Sequence, residues 1–307
     1  MLKIYIENTS SMIQGGGFSF LKNFSKTLKD KVDFVDNWQD CDIIFVFGIT
    51  AIDKTRVHEA VNAGKHLVLR ADNVPKASRN RRQSPAERLK EFGQKASLVI
   101  YQSEWAKEFA GYFAGDGIVI NNGVDPDIFN TKDRKSDGKT YLYCNYNDNP
   151  NKHFEEALYW FELEWRKDNE AHLIIAGNAP SLYTRNPEYN WDLNVPAKVE
   201  YVGVKETPEQ VAEVMKQSDF LIYPAFADCY PNTILESMAC GVRPLYLREE
   251  GGNKEAYNNS LDLDRTRAVL FNKEFRNFDF KNKDLKFKVK TIEEMGSEYL
   301  SAFEELI

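Results

Sequence analysis

Cysteine and histidine are scarce, four of each in 307 residues. Cys41, Cys144, Cys229 and Cys240 are scattered and form no C-x-x-C pair, so neither a zinc site nor a disulfide framework is expected. His66 and His172 fall inside apolar runs and His153 follows a lysine; no Ser/His/Asp set and no metal-ligand cluster emerges. No apolar run approaches the ~18 residues that a membrane-spanning helix needs. The first residues, Met-Leu-Lys-Ile-Tyr-Ile, read as a strand rather than a secretory signal, which points to the cytoplasm. N-x-S/T matches at Asn8, Asn23 and Asn258 are then chance. An excess of positive charge is also missing: 40 Lys and Arg stand against 47 Asp and Glu, a net −7, which argues against nucleic acid as the partner. What remains, 42% hydrophobic and 28% charged, is an ordinary globular balance with enough chain for two domains at roughly 150 residues each.

Strand-like and helix-like segments alternate. Leu2–Ile6, Asp42–Phe47, His66–Arg70 and Leu98–Tyr101 are short apolar runs of the kind buried on both faces of a parallel sheet. Between them lie helix patterns at Phe18–Leu28, Arg56–Asn62, Ala86–Gln94 and Glu104–Tyr112, and Gly117–Ile120 closes the series. Asn121–Asp137 reads as a polar linker. A second series follows, with strands at Thr140–Tyr143, His172–Ala176, Val199–Val202 and Asp219–Tyr223. Its first helix, Lys152–Trp165, sets Phe154, Leu158, Phe161 and Trp165 on one face. Thr207-Pro-Glu-Gln210 and Thr291-Ile-Glu-Glu294 are capping boxes opening two more helices. Two β/α series imply an α/β protein of two Rossmann-like domains facing a cleft, at residues 1–128 and 139–290, with a final helix at 291–307.

One segment carries more chemistry than the rest: Asp228-Cys-Tyr-Pro231-Asn-Thr-Ile-Leu-Glu236-Ser-Met-Ala-Cys-Gly241. A strand runs into it, proline suits a first helical turn and Gly241 suits a helix stop. The N–H groups of Asn232 and Thr233 then face outward at the positive end of a helix, a site for phosphate. Two carboxylates beside it suit sugar hydroxyls. Taken alone, the same pattern fits a strand-to-helix turn whose acids merely balance the helix dipole.

The segment resembles the E-x(7)-E signature of family 4 retaining glycosyltransferases, of GT-B architecture. Glu236 falls on the second Glu and Asp228 replaces the first; Met238-Ala-Cys-Gly241 matches the tail of the motif, with Pro244 displaced by Arg243. Gly251-Gly252-Asn-Lys-Glu255 resembles the family's Gly-Gly-x-x-Glu element, and Asn122-Gly123-Val124-Asp125 with Phe129 its hinge. The resemblance implies that Glu236 holds ribose, that Asp228 contacts the sugar, and that residues 291–307 pack back on the first domain. It also implies donor contacts from the Gly15-Gly16-Gly17 loop, from Val204 and Lys205 beside the base, and from Lys152 on the diphosphate. The arginine usual in that loop is absent between Lys139 and Lys152. Arg70 and Asp72, ending a strand of the first domain, become candidates for acceptor or sugar contacts, with a surface ion pair as the alternative.

Lys76–Arg82 gathers four cations that suit an anionic acceptor, a lipid surface or only solvent, and Tyr183–Trp191 is an aromatic-rich loop on the donor side. The implied activity is transfer of a sugar from a UDP- or GDP-sugar to a glycan, lipid-linked or small-molecule hydroxyl, without a cofactor or an obligatory metal. It would take place in the cytoplasm or at the cytoplasmic face of a membrane. Asp in place of Glu and the absent arginine keep two alternatives open: a silent nucleotide-sugar-binding protein and a GT-B epimerase.

Overall fold

A computed structural model describes residues 1–7, 16–72, 85–146, 149–178, 198–248, 250–260 and 287–307. The chain divides into two compact units, one of residues 1–123, 228–230 and 290–307, the other of residues 124–227 and 231–289. Gly15, Asn8, the cations of 76–82 and the aromatics of 183–191 lie outside the described residues.

The first unit holds a six-stranded parallel sheet of β1 (Lys3–Tyr5), β2 (Asp33–Val35), β3 (Ile43–Val46), β4 (His66–Ala71), β5 (Leu98–Tyr101) and β6 (Ile118–Val119). Its order is β2-β1-β3-β4-β5-β6, with Ile43 opposite His66 and Val68 opposite Leu98. Helices α1 (Gly16–Leu28), α2 (Lys54–Asn62), α3 (Pro85–Gly93) and α4 (Glu104–Ala114) connect the strands. Strand β3 explains why these runs are apolar throughout. Ile43 and Phe45 join Phe20 and Phe24 of α1, while Ile44 and Val46 join Val57, Leu89 and Phe92 on the opposite face.

The last helix, Ile292–Glu304, belongs to this unit. Thr291 Oγ1 accepts from Glu294 N at 3.2 Å and Thr291 N donates to Glu294 Oε2 at 2.8 Å, a complete capping box. Its Tyr299 and Phe303 pack against Phe24 and Phe45, with ring centres 5.4 to 6.1 Å apart. Gly123 is required here, since a Cβ would stand 2.2 Å from the carbonyl oxygen of Thr291.

In the second unit, β7 (Thr140–Asn145), β8 (His172–Gly177), β9 (Val199–Gly203), β10 (Phe220–Tyr223) and β11 (Arg243–Leu247) form a parallel sheet in the order β11-β10-β7-β8-β9. Helices α5 (Phe154–Trp165), α6 (Pro208–Lys216), α7 (Asn232–Ala239) and α8 (Asn253–Asn259) accompany it; the final helix, Ile292–Glu304, is α9. Tyr141, Tyr143, Phe220 and Ile222 meet Phe154, Leu158 and Phe161 of α5 on one face. Thr207 caps α6 by accepting from Gln210 N, but the Gln210 side chain accepts from Glu206 N, one residue before the cap, so this box is only half closed.

The expected linker is not free chain. The first unit ends at Gly123, and residues from Val124 onward belong to the second. Asp125 accepts from the N–H of Asp127, Phe129 is buried, and Lys135 N donates to Lys216 O. Buried Asp219 accepts from Arg134, Ser136 and the N–H groups of Lys139 and Thr140. A carboxylate that collects these donors pins the entry to β7.

Candidate functional site

The candidate donor site lies at the C-terminal edge of the second unit's sheet. Strand β7 ends at Asn145, and a 3-10 turn, Pro150–Lys152, follows, with the Asn149 side chain accepting from Asn151 N. Lys152 was expected to open a helix; it closes this turn instead. His153 takes a left-handed conformation, φ 50° and ψ 53°, so α5 begins only at Phe154. The turn directs Lys152 toward β10, where Nζ donates to Tyr223 Oη at 3.3 Å.

Strand β10 runs beside β7 with Leu221 opposite Leu142. Side chains alternate along a strand, so Tyr223 and Cys144, two residues further on each, share the face of Leu221 and Leu142. Glu236, from the second turn of α7, adjoins that face: its charge is felt at the Cys144 thiol, which burial first and Glu236 second push up to about 12. Lys152 thus meets Tyr223, which shares a sheet face with Cys144, and Glu236 acts on the Cys144 thiol.

Glu236 is half-buried and its carboxylate has no hydrogen bond or ion pair among the described residues. Desolvation alone pushes its pKa up to about 7. A carboxylate in that condition lacks partners that a set of hydroxyls would supply. Helix α7 starts at Asn232, with Pro231 in the cap position rather than the first turn and no side chain capping the helix. At the other end Gly241 takes φ 80° and its N–H donates to Met238 O, the helix stop that the sequence indicates.

Asn151 and Asn253 escape a sequence reading focused on charge. Asn253 is fully buried, and its amide donates to the carbonyls of Ala225 at 2.9 Å and Arg248 at 3.2 Å. Asn151 O accepts from Phe226 N at 2.8 Å. Together they fix the chain that leads from β10 toward Asp228. Asn253 follows Gly252 in the Gly-Gly-x-x-Glu element, which is the signal that leads to it. Val204 is exposed beyond β9, where Gly203 takes φ 70°, and Lys205 Nζ donates to Val202 O.

In the first unit, Gly16 and Gly17 are the opening residues of α1 rather than a loop, and neither takes positive φ. Asp72 ends β4 half-buried, with its carboxylate 3.1 Å from where a Cβ on Gly48 would stand and 3.7 Å from one on Gly17. Arg70 is 1% exposed, so the alternative of a surface ion pair does not hold for it. Its guanidinium lies 3.8 Å over the Phe20 ring and donates to Phe47 O and Asn122 Oδ1, each at 3.2 Å. Strand alternation turns Arg70 into the core.

Asp228, half-buried, is counted with this unit. The neighbouring Cys229 carbonyl accepts from Ser103 Oγ, Cys229 Sγ donates to Asp72 O at 3.3 Å, and Tyr230 O accepts from Asn122. Cys229, the neighbour of Asp228, thus touches the main chain at Asp72.

The histidines remain dispersed: His58 on Glu91, His66 on Ser97, His172 on Thr140 and His153 beside Glu156. No group of three or more metal-ligating side chains exists among the described residues, and none of their helices is long and apolar enough to cross a membrane.

Residues 126–267 match the family model described as Glycosyl transferases group 1. No curated protein matches by sequence. The chain is similar to the Anabaena HepE structure with UDP-glucose, at TM-score 0.64 and 16% identity over 83% of this chain and 82% of that one. It is also similar to AviGT4, a glycosyltransferase involved in avilamycin A biosynthesis, at TM-score 0.65 and 13% identity over 100% and 98%. A glycosyltransferase from Rickettsia africae ESF-5 matches at 0.61 and 13% over 99% and 98%. At these identities the likeness is one of fold, the two-domain α/β fold named GT-B.

Proposed function

We propose that this chain is a group 1 glycosyltransferase that transfers a sugar from a nucleoside diphosphate sugar to an acceptor hydroxyl, with retention at the anomeric carbon. The observation that carries the reading is Glu236, a half-buried carboxylate without a partner among the described residues, one turn into an uncapped helix. Ribose offers two adjacent hydroxyls that a single carboxylate accepts together. On this reading the first-turn N–H groups of Asn232 and Thr233 and the Lys152 ammonium hold the diphosphate. As the glycosidic bond breaks, negative charge grows on the departing diphosphate, and fixed donors stabilise it more than they stabilise the ground state.

No arginine stands between Lys139 and Lys152, so on this reading Lys152 is the one cation this segment offers the diphosphate. Val204 and Lys205 are assigned to the base, which main-chain groups read. Asp228 is assigned to the transferred sugar; it is one methylene shorter than the usual Glu and reaches less far. Asp72 is assigned to the acceptor or sugar in the first unit, with Arg70 supporting the chain around it. No divalent metal is required in this scheme, because cation and helix dipole take its place.

The experiment is a thermal-shift screen with UDP, GDP, ADP and their common sugars, with and without EDTA. UDP comes first because the Anabaena HepE structures hold UDP and UDP-glucose. A selective shift that survives EDTA is the expected result; no shift with any nucleotide overturns the reading. The anomeric configuration of the product, read by NMR, tests retention. Free epimerised sugar formed without an acceptor would favour the epimerase alternative.

A further inference from the structure

Two buried tyrosines in the second unit reach one lysine from opposite faces of the sheet. Tyr223, 1% exposed, accepts from Lys152 Nζ at 3.3 Å, and the ammonium stands 5.5 Å from the centre of the Tyr223 ring. That distance is inside the ~6 Å range of a cation–π contact. Tyr143, equally buried, donates to the Lys152 carbonyl at 3.5 Å. The left-handed His153 fixes the chain on the other side.

A lysine side chain has wide rotamer freedom, which must be surrendered when its ammonium is held against a ligand. Surrendering it during folding, before the ligand arrives, leaves less to lose on binding. A neutral hydroxyl is suited to this, since it directs an ammonium without cancelling its charge.

We propose that Tyr223 is a positioning residue for the transfer reaction: its hydroxyl and ring hold the Lys152 ammonium, in advance of substrate, where it meets the donor diphosphate. Tyr143 secures the backbone of the same residue. The inference rests on the assignment of Lys152 to the diphosphate made above.

The test is titration calorimetry of the full chain with UDP and GDP and with uridine and guanosine. Tyr223→Phe keeps the ring and removes the hydroxyl. Losing one hydrogen bond to a charged group should weaken diphosphate binding by about tenfold. Nucleoside binding and melting temperature should not move. Lys152→Gln should lose at least as much, and the double variant no more than Lys152→Gln alone; this arm reads the coupling from the lysine side. Equal losses for nucleoside and nucleoside diphosphate would make the hydroxyl a general structural element and overturn the proposal. Undiminished diphosphate binding by Tyr223→Phe would overturn it as well. Wild-type protein that binds none of the four ligands would sink the donor-site reading, and this inference with it.

Discussion

Replacing Glu236 with glutamine should make the protein more stable and less able to hold a donor. The side chain keeps its shape and loses only its charge. Burial raises the folded-state pKa from 4.5 to about 7. At about 1.4 kcal/mol per pKa unit, keeping the carboxylate ionised costs the folded state at most about 3.5 kcal/mol; partial exposure lowers this to roughly 1–3 kcal/mol. The sign follows from proton uptake. A folded acid with a raised pKa binds more protons than the unfolded chain, so its stabilising term is present at low pH and is lost as pH rises from about 4.5 through about 7. Above that range wild type bears the full cost and Glu236→Gln bears none. Differential scanning fluorimetry at pH 8.5 should place the variant roughly 2–8 °C above wild type, and at pH 5 the two should nearly coincide. The variant should also lose about 10- to 100-fold in UDP or GDP affinity, the loss expected when hydroxyls face an amide instead of an anion. Equal melting temperatures at pH 8.5, or a gap independent of pH, would refute the desolvation argument. Wild-type nucleotide affinity in Glu236→Gln would refute the ribose assignment.

Donor affinity of wild type should itself rise between pH 6 and pH 8, because the ionised Glu236 is the better hydroxyl acceptor; a flat Kd profile by calorimetry would contradict this. Lys152→Ala should cut turnover by roughly 100-fold with little change in melting temperature, since oxyanion-type donors act on the barrier and this side chain is half-buried. Arg70→Ala should destabilise by about 2–4 kcal/mol, by leaving Phe47 O and Asn122 without a donor and opening a cavity beside Phe20. Asp72→Asn should lower transfer while leaving urea denaturation midpoints near wild type, so this pair separates a structural from a functional role.

The strand series is legible wherever strands are covered on both faces, because burial demands continuous apolar runs such as Ile43–Val46 and Phe220–Tyr223. Two of the four edge strands escape: β2 is three residues long and partly exposed, and β11 carries Pro244, which an edge position tolerates. Capping explains the difference between two helix starts. Thr291 announces α9 because its side chain closes a full box. Nothing announces the true start of α5, because His153 is forced into positive φ by the turn before it rather than by its own chemistry. Arg70 shows the complementary limit. A charged residue at a strand end looks like a site residue, and only the three-dimensional packing shows its guanidinium over Phe20 in the core. Glu236 and Lys152 stand out in the sequence by their place in a motif, whereas Tyr223 does not, since a tyrosine ending an apolar strand looks like any other core residue.

The second unit leaves several polar groups unsatisfied near the C-terminal edge of its sheet. Asn145 Nδ2, Asn151 Oδ1 and Asn253 Oδ1 are buried without a hydrogen-bond partner, and Glu236 makes none among the described residues. Each unsatisfied buried group costs about 1–3 kcal/mol. Asn145 ends β7, Asn151 lies in the turn after it, Asn253 holds the chain after β10, and Glu236 lies on the helix that follows. At the opposite, N-terminal edge Asp219 and Thr140 are engaged, although Nε of Arg134, the arginine that donates to Asp219, is also buried without a partner. A fold selected for stability alone would pair or replace these groups. Their concentration at one strand edge marks where stability is given up. The melting-temperature gain expected from Glu236→Gln at high pH measures that sacrifice at one residue, and the accompanying loss of nucleotide affinity measures what the sacrifice is for.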